Sequence, residues 1–392
     1  MTMPFWICQT AFLALVLMTS ASGQPPLKAP PTPTPERPSL PMEMDGIPLP
    51  PWCCGTDSIE LAQKLLPKRF KRHMNFRHVI LTDASWDSLI QIRTALRRAW
   101  GEYRSLARRL GVVLMKPDEK LACIVFNDRQ DFLEFSRKTL GESAMLEHAG
   151  GYFSPRFNWI VFYEPEHQQM IDYEHQRLDE YQRHIDDSRR NTSLDDLDPE
   201  TAERIAETWQ TQQDFIDESR KQISTWAENR RTRIAVHEAI HQFTSACGNW
   251  EDKDSWPSWL HEGMATSFET SDATLGFGPD KLAIHRDIPF NGLVNSDQLI
   301  PLREFVNIDG YGDVDSGALH VFYTQSYGLI TWLYEYRTPQ LASFLKHLST
   351  EPELGGKHDV EAVFEKHFGN IEKLQKRWMK IERTDWRSKR HD

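Results

Sequence analysis

The run Val236-His237-Glu238-Ala239-Ile240-His241-Gln242-Phe243 contains neither glycine nor proline, so nothing in it interrupts a helix. Residues four apart on a helix lie on one face, a turn apart, and His237 and His241 can therefore aim nitrogen at one point. Imidazole suits Zn2+, with a bond of about 2.0–2.1 Å. Glu238, beside the first histidine, could reach a water at that ion without being a ligand. Two histidines do not complete a catalytic site, because three protein ligands and an open position are usual. The octet thus constrains the fold: a second element must carry a third ligand to it. After a polar loop at residues 248–255, the segment Pro257-Ser258-Trp259-Leu260-His261-Glu262-Gly263-Met264-Ala265-Thr266-Ser267-Phe268-Glu269 supplies one. A helix folding back antiparallel after that loop would bring Glu262 to the metal. Glu269, two turns on, could orient a ligand histidine from behind.

The pair HEAIHQF and WLHEGMATSFE resembles the zinc-binding core of the gluzincins, metallopeptidases of clan MA whose two helices supply His, His and Glu. The group includes thermolysin-like and aminopeptidase-like enzymes, and Trp-Leu-x-Glu-Gly-x-Ala-x-x-x-Glu is close to the form seen in the zinc aminopeptidases. The resemblance implies one Zn2+ per chain held by His237, His241 and Glu262, with Glu238 as general base. Twenty residues separate His241 from Glu262, slightly more than in those aminopeptidases. In Tyr323-Thr324-Gln325-Ser326-Tyr327-Gly328, Tyr323 takes the position of the group's catalytic tyrosine, whose phenol can donate to the oxyanion on the scissile carbonyl. Tyr327, one turn on, is the alternative. The glycine-bearing segment 150–163 suggests the substrate-binding edge strand. Helical patterns ending in Leu374-Gln375-Lys376-Arg377-Trp378 are similar to a bacterial exported family of unknown function, number 1570, assigned to the same clan. Two features depart from the pattern. The exopeptidase signature Gly-Ala-Met-Glu-Asn is absent, and a long charged stretch separates the edge strand from the zinc helix.

Residues 5–18 are almost wholly apolar, too short to span a bilayer comfortably, and followed by the small residues Ser20-Ala21-Ser22-Gly23. They read as a signal peptide over 1–23, or as an uncleaved anchor. Either places the rest of the chain outside the cytoplasm: periplasmic, in the cell envelope or extracellular. No stable membrane span is expected after cleavage. Proline-dense residues 24–56 read as an extended tether. Cys53, Cys54, Cys123 and Cys247 would remain in the mature chain, with no Cys-x-x-Cys pair for a thiolate zinc site. The formal charge of −11 argues against a nucleic-acid partner, which needs a clustered basic surface.

The fold expected is α+β: a small mixed β-sheet followed by a mainly helical zincin-like half, with a charged helical insertion. Residues 57–166 carry the strand patterns 76–82, 121–126 and a pair around Ser154-Pro155-Arg156, with helices at 86–110 and 131–140. Residues 167–230, rich in charge and poor in large apolar residues, suggest two long solvated helices joined near 191–199, with no partner or an unknown one. Residues 231–392 carry the zinc helices at 233–247 and 256–269, a long helix at 317–337, and shorter ones at 340–348, 359–368 and 371–383. Between them, 271–315 shows little periodicity and reads as a cleft border or lid.

Together these features point to an exported zinc peptidase acting on a peptide or protein substrate. Two other readings are an inactive zinc-stabilised interaction scaffold and a zinc hydrolase of non-peptide substrates. His261 is expected to face away from the metal. His285 and His320 lie in the cleft-forming half, where they could contact substrate, and read first as structural residues, since no second ligand stands at metal spacing from either.

Overall fold

A computed structural model of the chain describes residues 40–141, 149–165, 169–247, 256–270, 274, 276–308, 316–349 and 359–384. The segment 1–23, read as a signal peptide, and the first part of the proline-rich stretch lie outside the described residues. The class is α+β. A five-stranded sheet has the order β3 (Lys71–Met74), β4 (His78–Thr82), β5 (Leu121–Phe126), β7 (Trp159–Tyr163), β6 (Gly151–Ser154). The three central strands β4, β5 and β7 run parallel, and each outer strand pairs antiparallel with its neighbour.

The central strands are apolar almost without interruption because both faces of the sheet are covered. Ile80, Cys123, Val125, Ile160 and Phe162 point into the larger core. Val79, Leu81, Ala122, Ile124, Phe126, Trp159 and Val161 alternate with them into a second core. That second face is covered by α1 (Gly55–Leu65) and α3 (Arg129–Leu140). α3 starts on Asp128, whose carboxylate accepts from the amides of Gln130 and Asp131, and stops at Gly141, at φ +86°. The tether expected through residue 56 is not free over its last part. A short hairpin of β1 (Glu43–Met44) and β2 (Ile47–Pro48) buries Met44 and Leu49 in the second core. The guanidinium of Arg156 donates to the carbonyls of Pro41, Leu49 and Pro50. Proline leaves every carbonyl available, and one arginine collects three of them.

The larger core holds α2 (Trp86–Arg109), the inner half of α5 (Pro199–Ala246), and the later helices α6 (Ser258–Thr266), α7 (Ile284–Asn295), α8 (Leu302–Val306), α9 (Ser316–Tyr336), α10 (Thr338–Leu348), α11 (Val360–Phe368) and α12 (Ile371–Glu382). Two elements differ from the sequence expectation. The helix expected to carry the two histidine ligands does not begin at 233. It is the end of one 48-residue helix that starts at Pro199, capped by the Asp198 carboxylate on the Thr201 amide. With no glycine or proline after Pro199, nothing breaks it where the composition changes. The stretch 271–315 is also not wholly irregular, since it forms α7 and α8. Its periodicity was hidden by Pro289 inside α7, whose buried positions are Asp287, Phe290, Leu293 and Val294.

The charged arm is the outer part of α5 paired with α4 (Gln169–Asn191). Ile171, Leu178 and Ile185 recur every seven residues and meet Ile216 and Ile223, so a narrow heptad seam suffices in an otherwise polar sequence. The antiparallel register is visible in three pairs. Trp209 Nε1 donates to Ser188 Oγ at 3.1 Å, the amides of Gln182 and Gln213 exchange bonds at 2.9 Å, and Arg220 meets Asp179 at 3.0 Å.

Candidate metal centre

The inner end of α5 is anchored on one side and chemically armed on the other. Val236, Ala239, Ile240 and Phe243 enter the core, and Phe243 packs edge-on to Trp100 with ring centroids 5.1 Å apart. Gln242, fully buried, adds a polar lock. Its Oε1 accepts from His78 Nε2 on β4 at 3.1 Å, while its Nε2 donates to Ala122 O on β5 at 3.0 Å and Asn158 O before β7 at 2.7 Å. These bonds fix the roll of the helix on the sheet, and with it the direction of the neighbouring His241.

α6 crosses to meet that armed face. Trp259 is wholly buried against Phe344, Phe305 and Phe364. Gly263, beside Glu262, lets α9 approach: a Cβ there would stand 2.5 Å from Ile330 Cγ1 and 2.7 Å from Ser326 O. The result brings together the three residues expected as ligands. His237, His241 and Glu262 each offer one ligand atom, all within 4.8 Å of one another, a set able to hold a metal ion. The two Nε2 atoms are 3.1 Å apart, and Glu262 Oε2 lies 3.3 Å from that of His237 and 3.6 Å from that of His241.

Behind His237 stands Glu269, whose Oε1 accepts from Nδ1 at 2.7 Å, fixing the tautomer that leaves Nε2 facing the other ligand atoms. Glu269 is itself held by Arg286, through Nε at 3.0 Å and Nη2 at 2.8 Å, and by His285 Nε2 at 3.1 Å. His285 is thus a structural partner of that carboxylate. Arg286, absent from the sequence reading, sits on α7 inside the stretch read as irregular. A basic residue at a helix start was its only sequence signal.

The electrostatics favour a cation. Burial works against a charged His237 ring, yet hydrogen bonds to Glu262 and Glu269 push its affinity for a proton up to about 10. Burial likewise opposes ionisation of Glu262 and Glu269. The His241 and His237 rings outweigh it at Glu262, and Arg286 with His237 and His285 at Glu269, so both carboxylates lie well below their usual range. Glu238, buried, goes the other way: desolvation raises it, only partly offset by the two ligand histidines.

Tyr323 on α9 faces this cluster, its ring 6.4 Å from that of His237. Burial and the Glu262 and Glu238 charges raise its pKa, so the phenol keeps its proton. Tyr327 is wholly buried, with its hydroxyl donating to Asp287 Oδ1 at 3.0 Å. His261, expected to face away, is nearer than that: its ring lies 5.3 Å from Trp256 and 6.4 Å from His241, and burial lowers its pKa to about 4. His320 is exposed on α9. Cys53, Cys123 and Cys247 are free thiols, the last two buried.

Residues 232–355 match the family model described as a protein of unknown function (DUF1570), and this part of the chain is similar to that family. The matched span takes in His237, Glu238, His241, Glu262, Glu269, Arg286 and Tyr323. No curated protein matches the chain.

Proposed function

We propose that the chain is a zinc-dependent peptidase of gluzincin type, exported from the cytoplasm and acting on a peptide or protein substrate. The observation that carries this reading is the convergence of His237, His241 and Glu262. Donors at 2.0–2.1 Å from a tetrahedral ion stand about 3.3 Å apart. The three spacings here are 3.1, 3.3 and 3.6 Å, so the residues fit a zinc ion without rearrangement. The backing of His237 by Glu269 is the arrangement that orients a metal-ligating imidazole.

When bound there, zinc would acidify a water molecule and polarise the scissile carbonyl. Glu238, its proton affinity raised by burial, is suited to take a proton from the attacking water and hand it to the leaving amine. Tyr323, held neutral, donates a hydrogen bond to the oxygen on which negative charge develops. The structure has no helix among the described residues long and apolar enough to cross a membrane.

Metal analysis of the purified chain is expected to give one zinc, lost in His237→Ala. Glu238→Gln is expected to keep the zinc and lose hydrolysis of a peptide library by about 100-fold or more, the contribution typical of a general base. Normal turnover by Glu238→Gln on a verified substrate would refute the assignment.

A further inference from the structure

Arg230 and Arg233 precede His237 by seven and four residues on one unbroken helix, so helical periodicity places them on the stripe that carries the metal ligands. Arg230 stands 5.7 Å from the centroid of the Trp226 ring and beside the start of β6. There its Nη2 lies 3.6 Å from where a side chain on Gly150 would begin. Its Nε is buried without a hydrogen-bond partner among the described residues. Arg231 between them makes an instructive contrast. It is completed by Glu164 Oε2 at 2.6 Å and Gln91 Oε1 at 2.5 Å.

No such carboxylate completes Arg230 or Arg233 among the described residues. The acidic group whose field reaches both is Glu269. Its oxygens are already shared by the guanidinium of Arg286, His285 and His237. Glu269, already set against Arg286, does not by itself neutralise Arg230 and Arg233 as well. Burial lowers the pKa of both guanidinium groups, that of Arg233 to about 10, with Glu269 drawing them back. Both stay cationic at neutral pH, and a partly buried cation with no carboxylate paired to it among the described residues costs stability. An anion arriving with the substrate would relieve that cost, and the guanidinium fork matches a carboxylate.

We propose that Arg230 and Arg233 form a subsite for a substrate carboxylate, making the metal site selective for acidic peptides. The subsite rests on the peptidase reading for its place beside a scissile bond. Four and seven residues of helix span about 6 and 10 Å along the axis, and an extended peptide advances about 3.4 Å per residue. The acidic group therefore sits about two or three residues from the bond that is cut. It is either the side chain of Asp or Glu or the terminal carboxylate of a short peptide.

The test is a titration of the full-length, zinc-loaded Glu238→Gln protein with matched peptides. One set carries Asp or Glu against Asn or Gln at each internal position. The other carries a free against an amidated C-terminus. Acidic peptides are expected to bind at least tenfold more tightly, with the advantage shrinking as salt is raised and vanishing in Arg230→Gln/Arg233→Gln on the same background. Zinc content and thermal melting report whether that variant is folded. Arg230→Lys/Arg233→Lys, which keeps the charge but not the fork, should retain part of the preference. An advantage confined to the free C-terminus assigns the α-carboxylate, and one confined to internal acids assigns a side chain. Equal or undetectable binding of acidic and neutral peptides overturns the subsite. Acid-dependent binding with no peptide cleaved by the wild-type chain would sink the peptidase reading and leave the subsite standing. Cleavage without acid preference would do the reverse.

Discussion

Replacing Gln242 by leucine keeps the volume of the side chain and removes three hydrogen bonds. They join the helix of His237 and His241 to β4, β5 and the turn before β7. The residue is wholly buried, so water cannot substitute. The His78 ring N–H and the carbonyls of Ala122 and Asn158 would each lose a partner, and each orphaned buried group costs about 1–3 kcal/mol. A loss of about 4 kcal/mol is expected, a large share of the 5–15 kcal/mol typical of folded domains. Urea denaturation would show it as a lower midpoint with unchanged slope. Because the lock fixes the roll of the helix one residue after His241, zinc affinity should fall as well, by about tenfold as for other outer partners of a metal site. Chelator competition measures that. Stability within 1 kcal/mol of wild type, together with unchanged zinc affinity, would refute the idea that this contact orients the ligands.

Three further outcomes follow from the same geometry. His78 is buried with its pKa lowered to about 4, because burial disfavours the charged ring and Gln242 only partly compensates. Against an unfolded value of about 6.5, its contribution is intact above that pH and is lost as pH falls from 6.5 towards 4, reaching about 3 kcal/mol. Urea titrations across this window should show a flatter profile in His78→Asn, and an unaltered slope would count against the assignment. Glu269→Gln should weaken zinc binding by about 10- to 100-fold in chelator competition, since it loosens the carboxylate behind His237 and leaves Arg286 without its counter-charge. Gly263→Ala should cost about 1–3 kcal/mol in denaturation, because the added methyl meets backbone at Ser326 as well as Ile330, and a backbone oxygen cannot swing aside.

Much of the candidate metal centre was legible because its spacing is local. A four-residue interval between histidines on an uninterrupted helix fixes their geometry, and the short path to Glu262 leaves few ways to place a third ligand. Glu269 was legible for the same reason. Arg286 and His285 were not, since their role depends on α7 packing beside α6, and Pro289 masks the helical period of that segment. The strand at 121–126 could be read to the residue, because both its faces are buried and the apolar run is continuous. The start of α5 could not, because the change from a charged to an apolar composition looks like a boundary while the backbone hydrogen bonds run through it. The lock at Gln242 was invisible for a different reason: glutamine has no distinctive period, and its three partners come from three separate strands and turns.

That continuity makes the arm a lever with its fulcrum at the metal ligands. From Pro199 to His237 the helix runs 38 residues, about 57 Å at 1.5 Å per residue. A tilt of about 5° at the ligand end would carry the far end through about 5 Å. The converse ratio holds for anything that grips the tip: a load there acts with a long moment arm, and it meets the bonds of Arg231 to Glu164 and Gln91 before those of Gln242.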